Sequence, residues 1–167
     1  MQESPQQYMA RILGYQQGKK PLAVLSGTTG KIEKLIKKAP SAKMKKRTDP
    51  TKWSVGEVLA HLADSELVLS FRIRLVLGSN GTPIQAFDQD VWANYSHYRK
   101  MDPKESFERF KVLRASNVKL LKTISKEMWD NYGMHSERGK ESVVRMTEML
   151  AGHDINHLRQ LEKMLKR

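Results

Sequence analysis

Residues 53–77 read WSVGEVLAHLADSELVLSFRIRLVL, and this stretch decides the fold. Ser54 and Glu57 stand in the S-x-x-E spacing of a capping box, which starts a helix just after Trp53. From there Val55, Val58, Leu62, Leu69, Ile73 and Val76 recur every three or four residues, so one face of a long helix is built to be buried. His61 lies beside Leu62 on that face and therefore points inward, about two turns from the helix start.

A second segment toward the C-terminus repeats the theme. From Val143 the apolar stripe runs through Met146 and Leu150, meets His153 and His157 in AGHDINHLRQ (151–160), and resumes at Leu161 and Met164. A spacing of four places both imidazoles on one helix face, a turn apart and close enough to share one cation. With His61 they supply the three imidazoles of an open catalytic-type metal site, in which water or substrate completes the shell. An inward histidine is also the pattern of a core residue bonded to a carbonyl or carboxylate. Two unpaired neighbours, however, cost desolvation energy that leucine would avoid. Asp154 and Glu66 are candidates for an outer ligand or for partners of the distal ring nitrogens.

Outward from these two helices the pattern stays helical. A short piece spans Ser4 to about Gln17, and after Gly18 and Pro21 a longer helix runs through Ala39. The helix of residues 54–77 ends at Gly78, Gly81 and Pro83. Another helix opens at Asp102, with Pro103 at its first position and Glu105 closing a box, and fades before Trp129. The polar, glycine-punctuated DNYGMHSERGKE (130–141), which holds His135, reads as a turn region. The last helix starts near Ser142 and runs almost to Arg167. No strand pattern competes, so the expectation is an all-α four-helix bundle, with residues 1–167 as one domain. The connection of residues 78–101 is too long for a hairpin between antiparallel neighbours, and it lets the second and third long helices run parallel: an up-down-down-up course. Antiparallel packing of the second and fourth helices would put His61 and His157 about 10 and 14 Å from the same end. The connection carries Phe87, Trp92, Tyr95, Tyr98 and His97, a composition suited to packing over the site. Its carboxylates Asp88 and Asp90 are candidates for orienting ligands or moving protons.

Composition narrows the function. No run approaches a membrane span of roughly 18 apolar residues, and the N-terminus lacks a basic-then-apolar signal, so a soluble, cytoplasmic protein is expected. The absence of cysteine excludes disulfides, thiolate ligands and a cysteine nucleophile. Thirty Lys and Arg against 18 Asp and Glu give a net charge of +12. Much of it lies in Lys31, Lys34, Lys37, Lys38, Lys43, Lys45, Lys46, Arg47 and Lys52. Without aromatic residues to stack on bases, this cluster is a poor nucleic-acid footprint, and cations at a helix C-terminus suit the dipole. Leu67, Phe71, Leu75 and Leu77 lie off the main buried stripe of residues 54–77, which favours self-association.

KWSVGEVLAHLADSE (52–66), GTPIQAFDQDVW (81–92), GMHSERG (133–139) and AGHDINHLRQLE (151–162), in this order and spacing, resemble the DinB/YfiT-like family of metalloenzymes from about Tyr8 onward. The resemblance implies a four-helix up-down-down-up bundle, commonly a homodimer, with a divalent cation, usually nickel or zinc, held by three histidines that match His61, His153 and His157. It further implies metal-dependent hydrolysis or transfer chemistry that uses a low-molecular-weight thiol, with a small-molecule substrate. A metal-binding stress-response bundle without turnover is the alternative.

Overall fold

The computed structural model describes residues 3–166. Its elements in chain order are helices α1 (Pro5–Gln16), α2 (Pro21–Ile36), α3 (Ser41–Lys45) and α4 (Val55–Gly78), strand β1 (Pro83–Ile84), helices α5 (Gln89–Tyr95) and α6 (Pro103–Leu121), strands β2 (Tyr132–His135) and β3 (Gly139–Ser142), and helix α7 (Val143–Leu165). Single 3-10 turns lie at Tyr98–Lys100 and Glu127–Asp130. The last helix thus closes at Leu165, and Arg167 lies outside the described residues.

The helix starts follow from their side chains. At α4 both halves of the capping box form: Ser54 Oγ accepts from the Glu57 N–H, and the Glu57 carboxylate accepts from the Ser54 N–H at 2.8 Å. At α6 the aspartate caps alone, its Oδ1 accepting from the N–H groups of Lys104 and Glu105 at 2.8 and 3.2 Å. Ser142 caps α7 directly from the end of β3.

Helices α2, α4, α6 and α7 pack around two apolar clusters. One joins Ile32 and Ile36 of α2, Val58, Leu59 and Leu62 of α4, Phe107 and Phe110 of α6 and Leu161 of α7, with Met44 of α3 beneath. The other joins Leu25 of α2, Ile73 and Val76 of α4, Val118 and Leu121 of α6 and Val143, Met146 and Leu150 of α7. Between the clusters each of α4, α6 and α7 turns polar, at Glu66, Arg114 with Asn117, and Asp154, all at most 2% exposed. Helix α1 lies along α7, and Gly152 makes the approach possible: a Cβ there would stand 2.1 Å from the Ile12 carbonyl oxygen.

The all-α expectation is corrected by a small three-stranded sheet, in the order β1-β2-β3. β2 and β3 form an antiparallel hairpin in which Tyr132 faces Ser142 and His135 faces Gly139, whose φ of 73° closes the turn as glycine readily does. β1 joins β2 in parallel, Ile84 beside His135. The segment 130–141 is therefore mostly strand and not a turn region. Its inward positions are Gly133, His135 and Glu141, so the two-residue alternation that marks a strand is not written in apolar residues. Residues 78–101 are likewise structured: β1, α5 and the 3-10 turn occupy much of the segment.

Candidate metal centre

His61 on α4 and His153 and His157 on α7 meet between the helices. His61 Nε2 lies 2.9 Å from His153 Nε2, and His157 Nε2 lies 3.1 Å from the same atom. Three ring nitrogens thus converge on one small volume. His61 and His157 are buried, and His153 is half-buried. The spacing of four on α7 and the inward position of His61 produce this convergence.

The surroundings set the state of the rings. His157 Nδ1 is 2.7 Å from Gln160 Oε1, an acceptor, so the ring proton belongs on Nδ1 and the lone pair on Nε2 faces the other histidines. Burial drives the His61 pKa down to about 3, with His157 adding to the effect, and takes His153 well below its usual range. Burial also lowers His157, although Gln160 opposes it. At neutral pH all three rings are uncharged, the form that ligates a cation. The distal Nδ1 atoms of His61 and His153 are buried and unpartnered. Three convergent nitrogen donors fit a divalent cation of borderline softness, and the three residues can hold one ion.

Other side chains around the centre carry no motif that the sequence alone makes visible. Ser65, one turn after His61, has its hydroxyl 3.3 Å from His61 Nε2. The Trp53 ring lies 4.9 Å from the His61 ring and meets Tyr98 edge-on at 6.1 Å. Tyr98 donates to Asp64 Oδ2 at 2.7 Å, which ties the end of the 78–101 segment to the helix that carries His61. Only spacing could have flagged Ser65 and Gln160, at four and three residues from a ligand on the same helix face.

Glu66 and Asp154 are not partners of the ring nitrogens. Both turn to the buried Arg114, whose Nε donates to Glu66 at 2.9 Å and whose Nη2 donates to Asp154 Oδ1 at 2.9 Å. Asn117 adds a bond to Glu66 at 2.9 Å, and Arg114 also reaches the Leu25 carbonyl at 3.1 Å. Burial disfavours the Arg114 charge, yet the two carboxylates outweigh it and hold the guanidinium above its usual range. Asp88 caps α5, and it and Asp90 are exposed. His97 is exposed in a left-handed conformation at φ 53°. His135 is buried in β2 and is not part of the cluster of His61, His153 and His157. A cavity of about 590 Å³ between Leu22, Trp129, Val144 and Thr147 holds none of the three, so the donor set and not the volume identifies the site.

Comparison with known proteins agrees with this geometry. The sequence pattern of the DinB superfamily matches residues 25–161, a span that includes all three histidines. The chain belongs to the DinB superfamily. Among curated relatives, two Oceanobacillus iheyensis proteins, each named "Putative metal-dependent hydrolase", are 26% identical over 110 and 115 residues, or 66% and 69% of this chain. YfiT of Bacillus subtilis, which bears the same name, is 23% identical over 117 residues. The chain spans somewhat under two thirds of these relatives' length, 63% of the first and 66% of the others. The solved structure of Bacillus subtilis YfiT, described as having "an unusual four-helix bundle topology", superposes with a TM-score of 0.80 at 19% identity, covering 98% of this chain and 89% of its own. A mycothiol-dependent maleylpyruvate isomerase superposes with a TM-score of 0.67 at 12% identity, covering 84% and 59%. At these identities the two structures establish the fold. No helix among the described residues is long and apolar enough to cross a membrane.

Proposed function

We propose that this protein is a metal-dependent hydrolase of small molecules, in which His61, His153 and His157 hold one divalent cation, zinc or nickel. The observation that carries the reading is the convergence of three neutral imidazole nitrogens within 4.8 Å of one another. When bound, such a cation acts as a Lewis acid and lowers the pKa of what it coordinates, so that a nucleophile forms near neutral pH. The chain's own residues do the rest. Gln160 fixes the tautomer and orientation of His157. Trp53 packs against the His61 ring. The Ser65 hydroxyl lies 3.3 Å from the ligating atom of His61 and can hydrogen-bond to whatever occupies the open position.

The likeness to a mycothiol-dependent isomerase favours a second reading of the same site, in which a low-molecular-weight thiol takes the place of water and the reaction is a transfer. The absence of cysteine means that such a thiol would come from outside. The proposal extends to an up-down-down-up course. Its support is that Val58 and Phe107, near the starts of α4 and α6, share one apolar cluster with Leu161, near the end of α7. It also covers a single domain acting in the cytoplasm as a homodimer, for which the exposed Leu67 and Phe71 of α4 supply an apolar surface.

Elemental analysis of protein purified without an affinity tag is the test, followed by ester and amide hydrolysis assays with and without added thiol. About one zinc or nickel per chain, lost in His61→Ala while helicity is retained, is expected. Metal-free protein whose His61→Ala variant binds added zinc as well as the wild type overturns the reading. Turnover that requires thiol selects the transfer reaction, and turnover without it selects hydrolysis.

A further inference from the structure

Three turns along α4 from His61 lies Arg72. Eleven residues are almost a whole number of turns, so Arg72 shares the helix face of His61, Ser65 and Val68, about 16 Å from His61 along the axis. It is 5% exposed, and among the described residues its one hydrogen bond is from Nη2 to the neutral carbonyl of Gln85. The charged groups around it, Glu141 and Glu137, favour its charge but offset burial only in part. Glu141 of β3 is held by Arg138 through two bonds at 2.7 and 2.9 Å, and Glu137 is exposed. Burial first, and the neighbouring Arg138 second, lower the Arg72 pKa to about 10, the mark of a guanidinium short of negative charge.

His135 adjoins the same backbone and lies near enough for the Arg72 charge to act on its ring. It sits next to Ile84 in the parallel ladder, and the Glu137 N–H donates to its Nδ1 at 3.2 Å. That bond leaves the proton of the neutral ring on Nε2, which is buried without an acceptor. An orphaned buried N–H is costly, and so is a buried cation facing a carbonyl alone. Phe87, whose ring centroid is 5.7 Å from the Arg72 guanidinium carbon, also lines an open groove of about 470 Å³ with Ala86, Gln89 and Glu137. Asp88, at the groove edge, already spends an oxygen on the N–H groups of Asp90 and Val91.

We propose that Arg72 and the Nε2–H of His135 form an oxyanion-binding site, which takes a carboxylate or phosphoryl group of a small-molecule ligand entering beside Phe87. Both donors flank Ile84–Gln85, and one oxyanion would satisfy both. That the same ligand carries its reacting end to the histidines, on the same face of α4, rests on the proposed function; the anion site itself does not.

Calorimetric titration with inorganic phosphate and, separately, with acetate at constant ionic strength tests the site. The wild type is expected to bind at least one of the two, and which one identifies the ligand group. Arg72→Met should weaken binding at least about tenfold, as loss of a charge-assisted bond does. His61→Ala, which removes the proposed metal, should leave it within about twofold. Should Arg72→Met fail to fold, His135→Leu with Arg72 intact carries the same test, and in the wild type the His135 ring nitrogen resonances should shift on adding the anion. Absence of binding to both anions, or equal affinity in the wild type and in folded Arg72→Met or His135→Leu, overturns the proposal. Loss of metal from His61→Ala with anion affinity kept supports both readings, and metal retained with anion affinity kept overturns the metal reading alone.

Discussion

Replacing Gly152 by alanine isolates the closest backbone approach in the molecule's α1–α7 pair. The new Cβ would meet Ile12 O at 2.1 Å and Ile12 C and Cγ2 at 2.8 Å. Two of these atoms are backbone, so no rotamer change relieves the overlap. α1 must retreat by more than about 1 Å to restore carbon contacts near 3.5 Å. Alanine in a helix interior gains roughly 1 kcal/mol over glycine. Overpacking against an unyielding neighbour costs about 1–3 kcal/mol or more, and it also withdraws the wholly buried Ile12 from its seat. The net expectation is a loss of about 1–2 kcal/mol, which for a chain of this size lowers Tm by roughly 2–8 °C. Gly30, on the exposed part of α2, is the control: nothing lies within 4 Å of its added Cβ, and Gly30→Ala should gain up to about 1 kcal/mol. Urea unfolding followed by circular dichroism reads both variants. If Gly152→Ala is as stable as the wild type with an unchanged m-value, the close approach of α1 to α7 is wrong.

Arg114→Met should be among the most damaging single changes, at about 3–5 kcal/mol, because it leaves Asp154 and Glu66 buried without their cation; equilibrium unfolding measures it, and a near-neutral result would mean that water already reaches the pair. Gln160→Leu should keep one metal per chain but weaken its affinity about 10–100-fold, as loss of an outer partner of a ligating histidine does, and a competition titration with a chelator detects this. The metal-free protein should lose stability on acidification. His61 titrates near 3 when folded and near 6.5 when unfolded, so its neutral form is no handicap above 6.5, while below that the unfolded chain gains a proton that the folded one refuses. Stability therefore falls from about pH 6.5 toward 3, and His61→Leu should flatten part of that decline in urea titrations at pH 7 and 4.5.

The helices were legible because their signals are local. Ser54 with Glu57, Asp102 with Pro103, and Ser142 mark starts that the structure reproduces, and the apolar spacing of α4 and α7 carried His61, His153 and His157 inward. The sheet was not legible, because its buried positions are Gly133, His135 and Glu141, residues whose inward orientation depends on partners brought from α4 and from the 78–101 segment. The same limit applies to Glu66 and Asp154. Sequence places them beside the metal-binding face, but their partner Arg114 lies on another helix, 48 and 40 residues away. Leu67 and Phe71, off the buried stripe of α4 in the sequence, are exposed at 47% and 63%.

The polar layer at mid-height has a consequence for how the centre meets its ion. Arg114 is bonded at once to α2 through Leu25, to α4 through Glu66 and to α7 through Asp154. A slip of any of these helices by one turn would move its partner about 5 Å and strand a charge in the interior. An apolar core would tolerate such sliding, since one leucine packs much like the next. Asp154 adjoins His153, and Glu66 lies five residues beyond His61, so the lock on helix register is also a lock on the spacing of the imidazoles. An ion bound there would be received by a preorganised cage, and little of its binding free energy would be spent on ordering the protein.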